Sequence, residues 1–175
     1  MNAIDLGLSV KWSNCNLGAS CSEELGNHYA WGEVIPKNIY KLDTYKYYNK
    51  TKHTIIYTNN ITTIDDKWRL PSVQEWSELF KNCIHKYTES YNNTNVKGII
   101  YTSKINNNSI FFPFAGYFYR YEITLKHVGQ YWTNNIFSGA AHTIYDVYLY
   151  KYKEFINRDH CYWGKSIRPV LINKT

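Results

Sequence analysis

The segment that closes the chain constrains its fold more than any other. CYWGKSIRPV (residues 161–170) contains a Trp, a Gly and two β-branched residues, Ile167 and Val170, within ten positions. A disordered tail is poor in aromatic and β-branched residues. The sequence therefore predicts that the C-terminal segment is built into the hydrophobic core.

Length and composition predict a single domain, residues 1–175. A chain of 175 residues with 44% hydrophobic content buries about two-thirds of its unfolded surface, and no internal repeat or linker is visible. The 18 tyrosines and abundant Asn favour molecular recognition, because Tyr combines a large contact area with a polar tip. An AT-rich genome enriches the same residue types, and the two explanations are compatible.

The net charge of +6 is spread along the chain. Its dense basic stretches, KNIYKLDTYKYYNKTKH (37–53) and YKYKEF (150–155), interleave Lys with Tyr, a combination that stacks bases and contacts phosphates. A solvated basic loop is the simpler interpretation, so nucleic-acid binding is kept as an alternative.

No apolar run approaches 18 residues, so neither a transmembrane helix nor membrane insertion is predicted. The N-terminus lacks the basic and apolar regions of a signal peptide. A cytoplasmic protein fits, and so does a surface or secreted protein whose leader has been removed.

The four cysteines are Cys15, Cys21, Cys83 and Cys161. They form no C-x-x-C pair, so a structural zinc site is not expected. The sequence is compatible both with disulfides and with buried thiols.

Two segments of the first half have clear periodicity. Residues 4–12, IDLGLSVKW, place apolar side chains at every second position, which predicts a half-buried strand. In WRLPSVQEWSELFKNC, Ser72 and Glu75 have the spacing of a capping box, and apolar residues recur every three or four positions. This predicts an amphipathic helix at about 73–84. A single helical turn is expected at 22–26, and residues 37–63 are interpreted as a long irregular segment with one short strand.

Strand patterns dominate the second half. GIIYTSK (98–104) and SIFFPFAGYFY (109–119) flank a hairpin loop, and Pro113 indicates an edge strand or a bulge. Further strands are predicted at 130–135, 142–155 and 161–171. The order of elements makes an α+β domain of antiparallel sheets with one or two helices.

Five blocks of the sequence occur in an order known from one family. They are IDLGLSVKWSNCNLGAS, GNHYAWGEV, WRLPSVQEWSELFKNC, NSIFFPFAGY and GKSIRPV. Together they resemble the Fibrobacter succinogenes major paralogous domain of gut Bacteroidetes, which is related to the formylglycine-generating-enzyme branch of the C-type lectin fold. The blocks run from residue 4 to residue 170, so the resemblance covers nearly the whole chain.

The resemblance implies a C-type-lectin-like fold with paired N- and C-terminal strands. On that basis SIRPV lies beside LGLSVKW, and Ile167 and Val170 are core residues. Arg168 is expected to have a structural role, donating hydrogen bonds to carbonyls or a carboxylate near the chain closure, because a buried guanidinium is costly unless it is hydrogen-bonded.

The resemblance also raises the question of catalysis. Related enzymes of this fold oxidise a substrate cysteine with two active-site cysteines and copper. Cys161 lies in the corresponding region without a second cysteine nearby, and Cys15 and Cys83 fall in blocks that the family shares, so they are expected to be structural. The six His residues lack metal-site spacing, no G-x-S-x-G elbow occurs, and the tripeptides of calcium-binding lectins are missing. Neither an enzyme nor a cofactor or metal site is predicted.

Variable proteins diversified by retroelements share this fold and display changeable Tyr, Asn and Ser residues on a rigid C-terminal sheet. The resemblance therefore implies a ligand-binding site formed by Tyr119, Tyr121, Asn134, Asn135, Tyr148, Tyr150, Asn157, Asp159, His160, Tyr162 and Trp163. Alternation along residues 142–155 predicts a core face of Tyr145, Val147 and Leu149, and an exposed face of Asp146, Tyr148, Tyr150 and Tyr152.

These observations predict a non-catalytic binding module on the cell surface or elsewhere, whose ligand is a protein or a glycan. The alternatives are an oxidase of the formylglycine-generating type, a nucleic-acid-binding domain, and a structural or adhesive surface component.

Overall fold

A computed structural model of the protein describes residues 1–58 and 61–172. Within them lie one α-helix, α1 (Val73–Asn82), and two 3-10 helices, Leu42–Thr44 and Tyr91–Asn93. The strands are β1 (Ala3–Ile4), β2 (Trp12–Ser13), β3 (Tyr48–Asn49), β4 (Thr54–Ile55), β5 (Trp68–Arg69), β6 (Cys83–Thr88), β7 (Gly98–Ser103), β8 (Ser109–Pro113), β9 (Tyr117–Tyr119), β10 (Glu122–Thr124), β11 (Gly129–Ile136), β12 (Thr143–Leu149), β13 (Glu154–His160) and β14 (Val170–Leu171).

The strands form small antiparallel sheets, and with the single helix they make the predicted α+β arrangement. The sheet orders are β1-β2-β14-β5, β3-β4, β6-β7-β8, β9-β10 and β11-β12-β13. Within the described residues no helix combines the length and apolar character that crossing a bilayer requires.

The two ends of the chain pair as predicted. Val170 of β14 lies opposite Trp12 of β2 and Arg69 of β5, and the side chains of Ile167 and Val170 are fully buried. The closing segment is therefore part of the core.

Arg168 holds this closure together. Its guanidinium is fully buried and donates to the Asn16 Oδ1 at 2.9 Å, the Ser13 carbonyl at 3.1 Å and the Phe111 carbonyl at 2.8 Å. It also lies 4.6 Å from the centre of the Phe112 ring. The structural role expected for Arg168 is confirmed, and its partners are carbonyl oxygens rather than a carboxylate.

The helix begins at the predicted capping box. The Ser72 hydroxyl accepts from the Glu75 backbone N–H at 3.1 Å, and the Ser72 N–H donates to the Glu75 carboxylate at 2.6 Å. Trp76 and Leu79 face the core and are fully buried. The helix ends at Asn82 rather than at residue 84, because Cys83 has extended backbone angles and begins β6.

Several sequence-based boundaries are wrong. Residues 4–12 alternate in burial as predicted, but only their two ends are strands, because the backbone bends between them around Gly7 (φ +70°). The helical turn predicted at 22–26 is an irregular turn. The segment 37–63 contains two short strands, β3 and β4, where one was predicted. Residues 59 and 60 of that segment lie outside the described residues. Strand β6 was not predicted.

In the second half, the hairpin between β7 and β8 is confirmed, and Pro113 ends the edge strand β8. The single strand predicted at 142–155 is a hairpin, because the chain turns back between β12 and β13. The strand predicted at 161–171 is confined to β14, and the preceding residues are irregular. That irregular segment carries the candidate site.

The β11-β12-β13 sheet is covered on both faces. Tyr131, Val147 and Leu149 belong to a core that includes Trp12 and Trp76. On the opposite face, Trp132 and Ile144 belong to a second core, which also contains Tyr29, Trp31, Tyr40, Tyr45 and Cys161. Burial on both faces explains why simple alternation predicted the exposure of this sheet incorrectly.

Candidate ligand-binding surface

Four aromatic side chains from two segments of the chain meet at the surface. Tyr119 ends β9, His160 ends β13, and Tyr162 and Trp163 lie in the turn that follows. The His160 and Tyr162 rings stack with centres 5.0 Å apart, and the Trp163 ring is 5.4 Å from those of both His160 and Tyr119. His160 is exposed and the other three are partly exposed. We call these four residues the aromatic cluster.

Backbone hydrogen bonds fix the two segments relative to each other. Phe118 and Gly164 exchange N–H···O bonds of 2.6 and 2.9 Å, and Tyr29 and Lys165 exchange two of 2.9 Å. Gly164 is required, because an added β-carbon would lie 2.7 Å from the Tyr40 ring and 2.8 Å from the Phe118 side chain. The aromatic cluster is therefore presented by a well-anchored backbone, which lowers the entropy lost on binding.

A buried ammonium lies next to Trp163. Lys165 Nζ forms ion pairs with the carboxylates of Asp146 and Asp159, and the side chains of Lys165 and Asp146 are fully buried. Asn157 Nδ2 donates to Asp146 Oδ1 at 3.3 Å and to Asp159 Oδ2 at 3.2 Å, and the Tyr148 hydroxyl donates to Asp159 Oδ2 at 2.8 Å. We call Asp146, Asp159 and Lys165 the buried triad.

Aromatic rings surround the ammonium of the triad. The ring centres of Tyr148, Trp132, Tyr117 and Trp163 lie 4.9, 5.0, 5.8 and 5.9 Å from Lys165 Nζ. Each ring face attracts the cation, most strongly where water is excluded. The Tyr117 ring also stacks on Trp163 at 5.2 Å. Trp163 therefore belongs both to the exposed cluster and to the lining of the triad, and the triad helps to set its position.

The triad has one more carboxylate than cation, and this controls its protonation. Burial raises the pKa of Asp146 to about 7; the Lys165 charge opposes the rise and the Asp159 charge adds to it. Burial likewise raises the pKa of Tyr148 far above its usual value, with the nearby Asp159 charge adding to the rise, so its hydroxyl stays protonated and can donate. A proton on Asp146 removes the excess negative charge of the buried site.

A two-residue turn beside the cluster adds a further aromatic residue. Arg120 and Tyr121 connect β9 to β10, and Arg120 has a positive φ of 55°. Its guanidinium lies 5.3 Å from the centre of the Tyr119 ring, and Tyr121 is 66% exposed. A cavity of about 540 Å³ is lined by Tyr119, Arg120, Tyr121 and Glu122. This hairpin extends the surface available to a ligand.

The structure brings together five of the predicted site residues at the surface: Tyr119, Tyr121, His160, Tyr162 and Trp163. Tyr148, Asn157 and Asp159 lie below them around the triad. The predicted exposure of Asp146 and Tyr148 is wrong, because the segment carrying Lys165 covers this face of β12.

Three predicted site residues lie elsewhere. The Asn135 side-chain oxygen accepts from the Val73 N–H at 2.8 Å, at the start of α1, and the Asn134 N–H donates to the Pro71 carbonyl at 2.8 Å. The Asn135 side chain therefore has a structural role, whereas Asn134 is held here through its backbone. Tyr150 stacks on Tyr148 with ring centres 5.9 Å apart, outside the aromatic cluster.

Sequence reasoning missed Lys165, Asp146, Tyr117 and Trp132 as parts of the site. One signal was available for Lys165, since a lysine stood inside an otherwise core-forming block, GKSIRPV, and a buried lysine needs an anionic partner. The identity of its partners depends on the β12–β13 register, which the sequence pattern did not reveal.

All four cysteines are free thiols, and only Cys21 among them is exposed. Burial raises the pKa of Cys161 to about 12 and that of Cys83 to about 11, so both thiols stay protonated at neutral pH. We expect one thiol to react quickly with a maleimide in the native protein and four after denaturation, as counted by mass spectrometry. Rapid native labelling of Cys161 would contradict this description of the site.

Among residues 1–58 and 61–172, no group of three or more His, Cys, Asp or Glu side chains is arranged to hold a metal ion. Comparison of the chain with known proteins finds no matching family model, no matching curated protein and no matching solved structure.

Proposed function

We propose that this chain is a non-catalytic ligand-binding module of C-type-lectin-like fold, which binds a protein or a glycan through the aromatic cluster without a metal or cofactor. The observation that carries the proposal is the convergence of Tyr119, His160, Tyr162 and Trp163 on one anchored surface above the buried triad. The sequence resemblance to the Fibrobacter succinogenes major paralogous domain, whose implied fold is similar to that of the variable proteins, supports the same assignment.

The chemistry of the cluster suits recognition. Its rings offer flat faces for stacking, and the Tyr hydroxyls, the His160 imidazole and the neighbouring Arg120 offer hydrogen bonds. Aromatic and Arg side chains are enriched among residues that dominate binding energy. Because the backbone is fixed by neighbouring strands, binding needs little reorganisation of the protein.

The buried Cys161 favours recognition over thiol oxidation. A catalytic thiol reacts as the thiolate, which needs a lowered pKa and access to the substrate. Cys161 is fully buried in the second core, and burial raises the pKa of its thiol. These properties are those of a packing residue.

A binding screen on glycan and protein arrays tests the proposal, run with and without a calcium chelator and at two salt concentrations. We expect a hit that survives both conditions and loses at least about tenfold in affinity in Tyr119→Ala and Trp163→Ala. Tyr91→Ala is the matched control, because Tyr91 is partly exposed, as Tyr119 is, and stacks on Phe111 outside the cluster.

Thermal unfolding of each variant separates lost contacts from lost structure, and Tyr162→Ala provides a second readout if Trp163→Ala is unstable. Binding that disappears with the chelator would contradict a metal-free site. Binding of nucleic acid alone, lost at high salt, would favour the basic stretches instead.

A further inference from the structure

Two cavities lie outside the aromatic cluster, and the side chain of Phe114 lines both of them. One cavity, of about 360 Å³, is lined by Leu25, Asn95, Val96, Lys97, Phe114, Ala115, Ile123 and Lys126. The other, of about 350 Å³, is lined by Tyr87, Phe114, His127, Tyr150, Lys151, Tyr152 and Lys153. We call the two together the lysine groove. Each is large enough for part of a small ligand, and together they suit an extended one.

The walls of the groove are strongly basic. They carry Lys97, Lys126, Lys151 and Lys153, and none of the described residues that line either cavity is acidic. Glu89 lies nearby and pairs with Lys97 at 2.9 Å and with Lys151 at 3.8 Å. Glu89 thus pairs with two of the four lysines, so the lining keeps an excess of positive charge and complements an anion.

The floor of the groove is apolar, with aromatic residues at one end and aliphatic residues at the other. Lys151 Nζ lies 4.8 Å from the centre of the Tyr87 ring and 5.4 Å from that of Tyr152, which is 81% exposed. Leu25 and Ile123 are 42% and 37% exposed at the other end. The cations are therefore held beside flat apolar surfaces.

We propose that the lysine groove binds an acidic polysaccharide, a chain of sugars bearing sulfate or carboxylate groups. The lysine ammonium groups would pair with those anionic groups, and the C–H faces of the sugar rings would pack on Tyr152 and on the aliphatic floor. This site is independent of the aromatic cluster and goes beyond the function proposed above. It also assigns a role to the stretch YKYKEF, whose residues 150–153 line one of the two cavities.

The groove fits a polysaccharide better than a single-stranded nucleic acid. Nucleic-acid binders stack successive bases on free aromatic faces. Here Tyr150 already stacks on Phe155 and Tyr148, with centres 5.6 and 5.9 Å away. In the aliphatic half of the groove the one aromatic side chain among the described lining residues is Phe114, which is only 6% exposed and so offers little ring face to a base.

Titration calorimetry with a heparin-derived octasaccharide tests the proposal, with neutral dextran, oligo-dT and polyglutamate as comparison ligands. We expect Lys151→Ala/Lys153→Ala to weaken octasaccharide binding by at least about tenfold, because two charge-assisted contacts are lost. The charge-matched control, Lys50→Ala/Lys52→Ala, removes two exposed lysines from the other basic stretch and is expected to change the affinity by less than about twofold.

Two aromatic variants distinguish this site from the cluster. Tyr152→Ala weakens octasaccharide binding, whereas Tyr121→Ala, in the turn beside the cluster, leaves it unchanged. Equal losses in the two lysine variants would overturn the proposal by showing charge attraction without a site. Absence of octasaccharide binding at physiological salt would also overturn it, as would tighter binding of oligo-dT or polyglutamate through the same lysines.

Discussion

Arg168→Met lowers the free energy of unfolding by about 3–5 kcal/mol, or prevents folding altogether. The substitution leaves the Asn16 side-chain oxygen and the carbonyls of Ser13 and Phe111 without their donor in a site that water does not reach. Two of these acceptors lie near the N-terminus and the third lies on β8, whereas Arg168 lies near the C-terminus, so the substitution affects the closure of the whole fold. Urea unfolding measured by tryptophan fluorescence gives the value.

Arg158→Met is the matched control. Arg158 is exposed on β13, and its guanidinium lies 4.5 Å from the centre of the Phe137 ring. Because this substitution leaves no buried acceptor unpaired, we expect the free energy of unfolding to change by no more than about 0.5 kcal/mol. Similar losses in the two variants would show that the closure does not depend on the buried guanidinium.

Lys165→Met destabilises the protein by about 3–5 kcal/mol at neutral pH, because it leaves two carboxylates together in a buried site without a cation. The loss is expected to shrink as the pH falls, since protonation removes the uncompensated charge. Adding Asp146→Asn to Lys165→Met is expected to recover part of the stability, as a double-mutant cycle would show. A Lys165→Met protein as stable as wild type would refute the role given to the triad.

The raised pKa of Asp146 also predicts the pH dependence of the wild-type protein. The folded state holds the Asp146 proton up to about pH 7, whereas an unperturbed aspartate loses it near 3.8. The protonated Asp146 therefore contributes its full stabilisation of the folded state at low pH, and this contribution is lost as the pH rises from about 4 to about 7. Asp146→Asn removes this contribution, so its melting temperature is expected to vary less across that range. If the melting temperatures of the wild-type protein and Asp146→Asn changed equally with pH, the raised pKa given to Asp146 would be contradicted.

The sequence predicted those parts of the fold whose signals are local. The capping box of Ser72 and Glu75 located the start of α1, and the β-branched residues of the closing segment predicted its burial. The bend after Ile4 was missed because burial alternates there without a continuous strand. Apolar alternation reports which side chains face the core, and it does not report the backbone hydrogen bonds.

The candidate site was only partly predictable because it depends on contacts between distant segments. The resemblance to the C-type-lectin-like fold implied Tyr119, Tyr162 and Trp163 as site residues, but their convergence depends on the bridge between Phe118 and Gly164. The triad depends on the pairing of Asp146 with Asn157, which places Asp159 within reach of Lys165. Tertiary packing sets this strand register, and the composition of the sequence does not reveal it.

The most direct test of the proposed function is amide hydrogen exchange measured with and without an array hit. If the aromatic cluster binds the ligand, protection from exchange appears at residues 117–121 and 160–165. Protection confined to residues 150–153 would place the ligand in the lysine groove, and protection at neither segment would show that the ligand binds elsewhere. Either of these outcomes would contradict recognition through Tyr119, His160, Tyr162 and Trp163.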